Sequence, residues 1–154
     1  MSVGLGIAGP VLSHRFGVFF FAGGAVPNPL DFRFQKVSGL GSTVSTEAVD
    51  EGGQNTVQHH LPQRVTHDTL VLERGVVVGS PLGVEINAAM SLFRFATSNV
   101  LVTVFDQDRR PVVAWLFEKA YPVRWSMSDL DASLHRLAVD TIELAYSRVA
   151  RVGV

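Results

Sequence analysis

Apolar residues dominate most of this chain, and short runs or alternations of them spell strands. Phe16 to Phe21 is a short apolar run of strand length, followed by a Gly- and Pro-rich loop from Ala22 to Pro29. Asp31 to Val37 resumes extended structure, with Phe32 and Phe34 alternating against Arg33 and Gln35. Thr69 to Arg74 sets Leu70 and Leu72 against Val71 and Glu73 and stops at Gly75. Further on, Val100, Val102 and Val104 share one side of a strand, with Leu101, Thr103 and Phe105 on the other. A polar turn, Asp106 to Arg110, leads into Val112 to Lys119, where Trp115 and Phe117 share a face. Tyr121 to Trp125 extends that strand, with Pro122 marking a bulge or an edge. Leu137 to Tyr146 is the final predicted strand.

One segment has the helical period instead. Ser80 can cap it and Pro81 suits its first turn, while Leu82, Ile86, Ala89, Met90 and Phe93 recur at helical spacing. Ser128 and Asp131 have capping-box spacing, which predicts a single helical turn from Asp129 to Leu134. No repeat or linker interrupts the chain. The expectation is a mainly β domain over residues 16–150, a β-sandwich or partial barrel with one packed α-helix, behind a flexible N-terminal arm at 1–15.

Gly41 to Gln63, GSTVSTEAVDEGGQNTVQHHLPQ, breaks the apolar pattern. Ser42 to Val49 and Asn55 to Leu61 both have extended character, and Asp50-Glu51-Gly52-Gly53-Gln54 supplies glycines for a hairpin turn. Neither arm offers a core face. Val44, Thr46 and Ala48 alternate with Thr43, Ser45 and Glu47, and the return arm contributes only Val57 and Leu61. A lone two-stranded ribbon is marginal in water. Such a ribbon needs a partner outside its own core, and another subunit is the expected one.

Composition narrows the function classes. Only 18% of residues are charged, below the about 25% usual for soluble proteins. That deficit is expected where part of the surface is covered in the working state, and a large core alone also produces it. A net charge of −1 gives no support for specific nucleic-acid binding. The chain has no cysteine, so disulfides and thiolate metal sites are excluded. The N-terminus lacks the basic segment of a secretion signal, and no run reaches the ~18 apolar residues of a membrane helix, so synthesis in the cytoplasm without a membrane anchor is expected.

Candidate chemistry is thin. His59 and His60 are adjacent, and adjacent residues on a strand point to opposite faces, so their rings would not converge on one ion; His67 is too distant in sequence to help. Asp106 with Asp108, and Asp129 with Asp131, sit in predicted turns, where aspartate is favoured as a cap. A hydrolase built on Asp129 and Asp131 ranks last among the readings. Ser133 and His135 lack a nucleophile elbow. Gly23-Gly24 and Gly52-Gly53 lack the lysine and the strand-to-helix setting of a phosphate cradle. Trp115 or Trp125 as an exposed stacking platform defines the alternative reading, a β-sandwich ligand-binding module. No catalytic constellation, cofactor site or metal site emerges.

Taken in order, five blocks of the chain resemble the tail-tube proteins of contractile phages and related contractile injection systems. They are Phe32 to Leu40; Glu51-Gly52-Gly53-Gln54-Asn55; Leu61-Pro62-Gln63-Arg64 leading to Leu70 to Gly75; Val100 through Asp106 to Pro111 and Trp115; and Ala120 to Trp125 with Ser128 to Ala132 and Thr141 to Leu144. Together they span residues 16–148. The resemblance implies a non-enzymatic structural subunit. It would form a homo-hexameric ring whose strands make a continuous β-barrel, and the rings would stack into a hollow tube carrying cargo in its lumen. Its partners would be its own copies, a sheath protein, and baseplate hub and spike proteins. It would be a component of a phage tail or a tail-like injection particle.

The Glu-Gly-Gly-x-Asn tip, the Leu-Pro-x-Arg step and the Arg-Trp-Ser-x-Ser-Asp run look closer to tube-initiator proteins, which join baseplate hub and tube. Under this resemblance Val44, Thr46, Glu47, Asp50, Glu51, Gly52, Gly53, Asn55, Val57 and His59 belong to an inter-subunit and lumen ribbon, with Glu47, Asp50 and Glu51 placing negative charge at its tip. Ser38, Gly39, Leu40, Pro62, Arg64, Gly75, Trp115, Pro122, Trp125, Asp129 and Glu143 are the structural motif positions.

Overall fold

In the computed structural model, residues 15–21, 33–50, 52–53, 58–77 and 79–153 are described. Among them the order is β1 (Phe16–Phe21), β2 (Lys36–Ser38), β3 (Ser42–Val49), β4 (His59–His67), β5 (Leu70–Gly75), α1 (Pro81–Leu92), β6 (Ser98–Phe105), β7 (Pro111–Met127), β8 (Val139–Ala145) and β9 (Arg148–Val152). Seven strands run in the order β1-β6-β7-β8-β5-β2, with β9 also paired to β7, and this sheet does not close into a barrel. All its pairings are antiparallel.

The fold turns on β7. Its first half pairs with β6 on one side and β9 on the other, and its second half pairs with β8. The register runs without offset from Ala114 opposite Val152, through Glu118 opposite Arg148, to Tyr121 opposite Ala145. A bulge then falls between Pro122 and Arg124, and Lys119 adopts a left-handed φ of 54° nearby. The proline therefore sits where the ladder is already interrupted, as its missing N–H requires.

One core lies between the two halves. Val18, Phe20, Val100, Val102 and Phe117 from the β1-β6-β7 side meet Leu70, Leu72, Ile142 and Leu144 from the β5-β8 side. These are the inward positions of the alternating patterns, and Leu82 and Ile86 of α1 join them. The expected mainly β domain with one packed helix is the fold observed, its main sheet folded over a single core without closing.

Helix α1 starts as its sequence specifies. Ser80 is the N-cap, its Oγ accepting from Gly83 N at 3.2 Å, with Pro81 following. The same Oγ accepts from Arg74 Nη2 at 2.8 Å, and Arg74 is only 2% exposed. Ser80→Ala thus removes a cap and a partner of a buried guanidinium. We expect a loss of about 1–2 kcal/mol, read as a lower urea midpoint at unchanged slope. Leu82, Ile86 and Ala89 are buried as predicted, but Met90 is half-exposed and Phe93 is 84% exposed. Phe93 is the C-cap, with φ 52°, so it has left the helical face on which the spacing counted it.

Three further elements differ from expectation. The described return arm of the ribbon, His59–His67, runs beyond the expected end at Leu61, because pairing continues past Pro62 through an irregularity opposite Ser45 and Thr46; the expected start at Asn55 lies outside the described residues. No helical turn forms over Asp129 to Leu134: Ser128 Oγ instead accepts from Val139 N at 2.9 Å, and Asp131 Oδ1 takes Ser133 N at 2.9 Å. The last predicted strand ends at Ala145, and β9 follows it after a bend at Tyr146 and Ser147.

Candidate functional site: an unpartnered two-stranded ribbon

Strands β3 and β4 form a separate two-stranded sheet. Every residue of β3 is exposed, and so is every residue of β4 except His67. Neither outer edge of the ribbon pairs with another described strand. Its stability within the chain comes from its own ladder and a few polar contacts. Ser45 Oγ donates to Arg64 O at 3.2 Å, Thr66 Oγ1 donates to Thr43 O at 3.3 Å, and Gln63 Nε2 donates to Glu47 Oε2. Bonds of this kind in water contribute little net free energy.

The ribbon is anchored at its root. Ser38 ends β2, and Gly39 turns the chain with φ 78°. A Cβ at that position would lie 1.9 Å from Thr69 O, so the two chain segments cross where only glycine fits. Ser42 Oγ and His67 Nδ1 share a hydrogen bond of 2.8 Å. The His67 ring lies 5.3 Å from Tyr146, which meets core Phe117 edge-on at 4.8 Å. Burial, then the nearby Asp68 carboxylate, push the Tyr146 phenol above its ordinary range. A hollow of about 180 Å³ lined by Leu40, Trp115, Phe117, Tyr146 and Val149, among others, opens at this root.

The predicted ribbon residues fall as follows. Val44, Thr46 and Glu47 lie in β3, His59 in β4, and Asp50 just beyond β3, where Gln58 Nε2 donates to its Oδ1 at 3.0 Å. Gly52 and Gly53 form a turn, with Gly53 at φ 110°. Glu51, Asn55 and Val57 lie outside the described residues. Of the structural positions, Pro62 and Arg64 lie in β4, Leu40 is half-exposed beside the root, and Gly75 ends β5. Trp115 packs against the core from β7, Pro122 is fully buried at the bulge, and Trp125 is half-exposed. Glu143 on β8 lies 3.5 Å from Arg124 Nη1, a surface ion pair of small energetic weight.

The candidate catalytic groups resolve into turn chemistry. Asp106 Oδ1 accepts from Asp108 N at 2.8 Å and from Arg110 N at 2.9 Å, closing the β6–β7 turn. Hydrogen bonds from the Ser133 hydroxyl and backbone hold the exposed Asp131 carboxyl below its usual value, the direction opposite to that of a general acid. His59 opposes Val49 and His60 opposes Ala48, which puts the two imidazoles on opposite faces. Among the described residues no group of three or more His, Asp or Glu side chains converges on a metal-sized site, and no helix is long and apolar enough to cross a membrane.

Solved structures share this architecture. The chain is 38% identical to a chain in the 6-fold symmetrised anti-feeding prophage baseplate, over 94% of this chain and 96% of that one, with a TM-score of 0.85. It is similar in fold to a chain of the extracellular contractile injection system PVC sheath–tube complex in the extended state, at 21% identity over 96% and 95% and a TM-score of 0.79. A chain of the anti-feeding prophage tube-terminating cap matches at 22% identity over the full length of both, with a TM-score of 0.80. No curated protein sequence matches the chain. The model of the T4-like virus tail tube protein gp19 family matches residues 12–150, nearly the whole sandwich with its ribbon, and the chain belongs to that family.

Proposed function

We propose that this chain is a non-enzymatic structural subunit of the inner tube of a contractile injection particle. It assembles as hexameric rings with its own copies and builds the ring where the tube begins at the baseplate. The observation that carries the reading is the ribbon: an eight-residue and a nine-residue strand, solvent-exposed almost throughout, with neither outer edge paired to another described strand. Open edges invite uncontrolled pairing, and closing a ring of ribbons into one barrel removes them. A heterologous contact repeated by rotation closes such a ring, and stacking the rings makes a tube. The sheath, the baseplate hub and spike, and a cargo in the lumen are the partners this architecture takes.

The baseplate position rests on two points. Identity is 38% to a chain of a baseplate structure, against 21% and 22% to chains of a sheath–tube complex and a cap. The tip and Arg-Trp-Ser-x-Ser-Asp motifs also look closer to initiators. The test is copy number by quantitative mass spectrometry of purified particles sorted by length. A tube-initiating subunit is present at a fixed number per particle whatever the length. A count rising in proportion to length would assign the chain to the shaft, and its absence from particles would refute the structural role.

A further inference from the structure

Strand β8 carries a carboxylate where its pattern calls for an apolar side chain. Its buried positions alternate through Asp140, Ile142 and Leu144, and the last two belong to the core. Asp140 is 8% exposed, so it too stands on the core side of the strand. It pairs with Arg74 of β5 on one flank and with Met127 of β7 on the other. Its Oδ1 is shut off from solvent and has no hydrogen-bond partner among the described residues. An unmatched buried carboxylate oxygen is costly, and native proteins seldom keep one without a use.

The surroundings show what would match it. Asp140 lines a groove of about 340 Å³ where the end of β5, α1 and the end of β7 meet. Val76, Met90, Trp125 and Met127 give it apolar, half-exposed walls. The two thioethers are flexible enough to part over the carboxylate and to pack on a ring. Arg74, only 2% exposed, lines the same groove. An incoming cation would therefore meet a guanidinium, and an incoming anion a carboxylate. A neutral donor on an apolar body meets neither objection. Indole is such a group, with one N–H donor and no acceptor left to satisfy.

We propose that this groove takes the indole of a tryptophan presented by a different protein, its N–H donating to Asp140 Oδ1. A second copy of this chain is a poor source. Of its two tryptophans, Trp115 packs against the core and Trp125 is already a wall of the groove. A tryptophan seated in a pocket is a common anchor of protein interfaces. That partner belongs to the particle, so the source of the indole rests on the function proposed above; the chemistry of the groove does not.

Two of the three methionines, Met90 and Met127, line the groove, which makes their methyl groups reporters. Free indole is titrated into the full chain labelled at methionine and followed by NMR. Both methyl signals are expected to shift saturably, with a Kd at or below about 1 mM. 1-Methylindole keeps the apolar body and loses the donor, and is expected to bind at least about tenfold more weakly. In Asp140→Ala the two probes should bind alike; if that variant does not fold, their comparison in the wild-type chain decides alone. Equal affinity of the two for wild type, or no shift up to about 10 mM, would overturn the proposal. So would shifts that grow with protein concentration alone, which would give the groove to a second copy. In purified particles, a photo-crosslinking analogue in place of Met90 is expected to mark a tryptophan-bearing segment of another protein. A bond to any other segment, or none, would overturn that source. Absence of the chain from particles would instead refute the function proposed above.

Discussion

Gly39→Ala is expected to lower stability by about 3 kcal/mol and to abolish assembly, because two penalties coincide at that corner. The backbone φ of 78° is strained for any residue with a Cβ, at roughly 1–3 kcal/mol. The new methyl would also lie 1.9 Å from Thr69 O, a backbone atom that cannot swing aside. Moving Thr69 disturbs the start of β5, where Leu70 is fully buried and pairs with Leu144. Gly75→Ala is the control: its Cβ would meet open space, so a change within about 0.5 kcal/mol is expected. Urea denaturation of both variants, with particle incorporation as second readout, checks this. Equal effects at the two positions would remove the corner as the ribbon's anchor.

Phe117→Ala is expected to cost more, about 3–5 kcal/mol, the range for deleting a buried aromatic ring. Phe117 is 1% exposed and is among the largest fully buried side chains described. It also holds Tyr146 edge-on, and Tyr146 holds His67. Loss of the ring should therefore loosen the ribbon root as well as the core. Hydrogen exchange would show faster exchange at His67 and Asp68 than in a variant of equal stability loss far from the root, such as Leu82→Ala. Unchanged protection there, relative to that variant, would show that the stack does not transmit to the ribbon.

Much of this architecture was legible in the sequence because it depends on local pattern. Phe16 to Phe21 is an apolar run of strand length, Leu70 and Leu72 recur at strand period, and Ser80-Pro81 marks a helix start by its own chemistry. What stayed hidden depends on pairing. The expected arm stops at Leu61, just before Pro62, yet β4 is an edge strand with an irregular register there, so the ladder continues past it. Arg148 to Val152 is too short and too polar to stand out alone, and becomes a strand only as a continuation of β8 along β7. Asp129 to Leu134 has capping residues, but Asp131 spends its carboxylate on an Asx turn. The ribbon's lack of a core face was readable from its pattern; which of its residues share a face required knowing which residue opposes which.

The seventeen residues of β7 have a mechanical consequence. Two stacked layers held only by side-chain contact can slip past each other under shear. Here one covalent strand is woven into both, and β8 and β9 follow it along a nearly unbroken ladder. Sliding the layers would mean peeling backbone hydrogen bonds along that whole length at once. A load applied to either end of the subunit is thus borne by main chain, and the molecule yields by breaking outright before it yields by creeping.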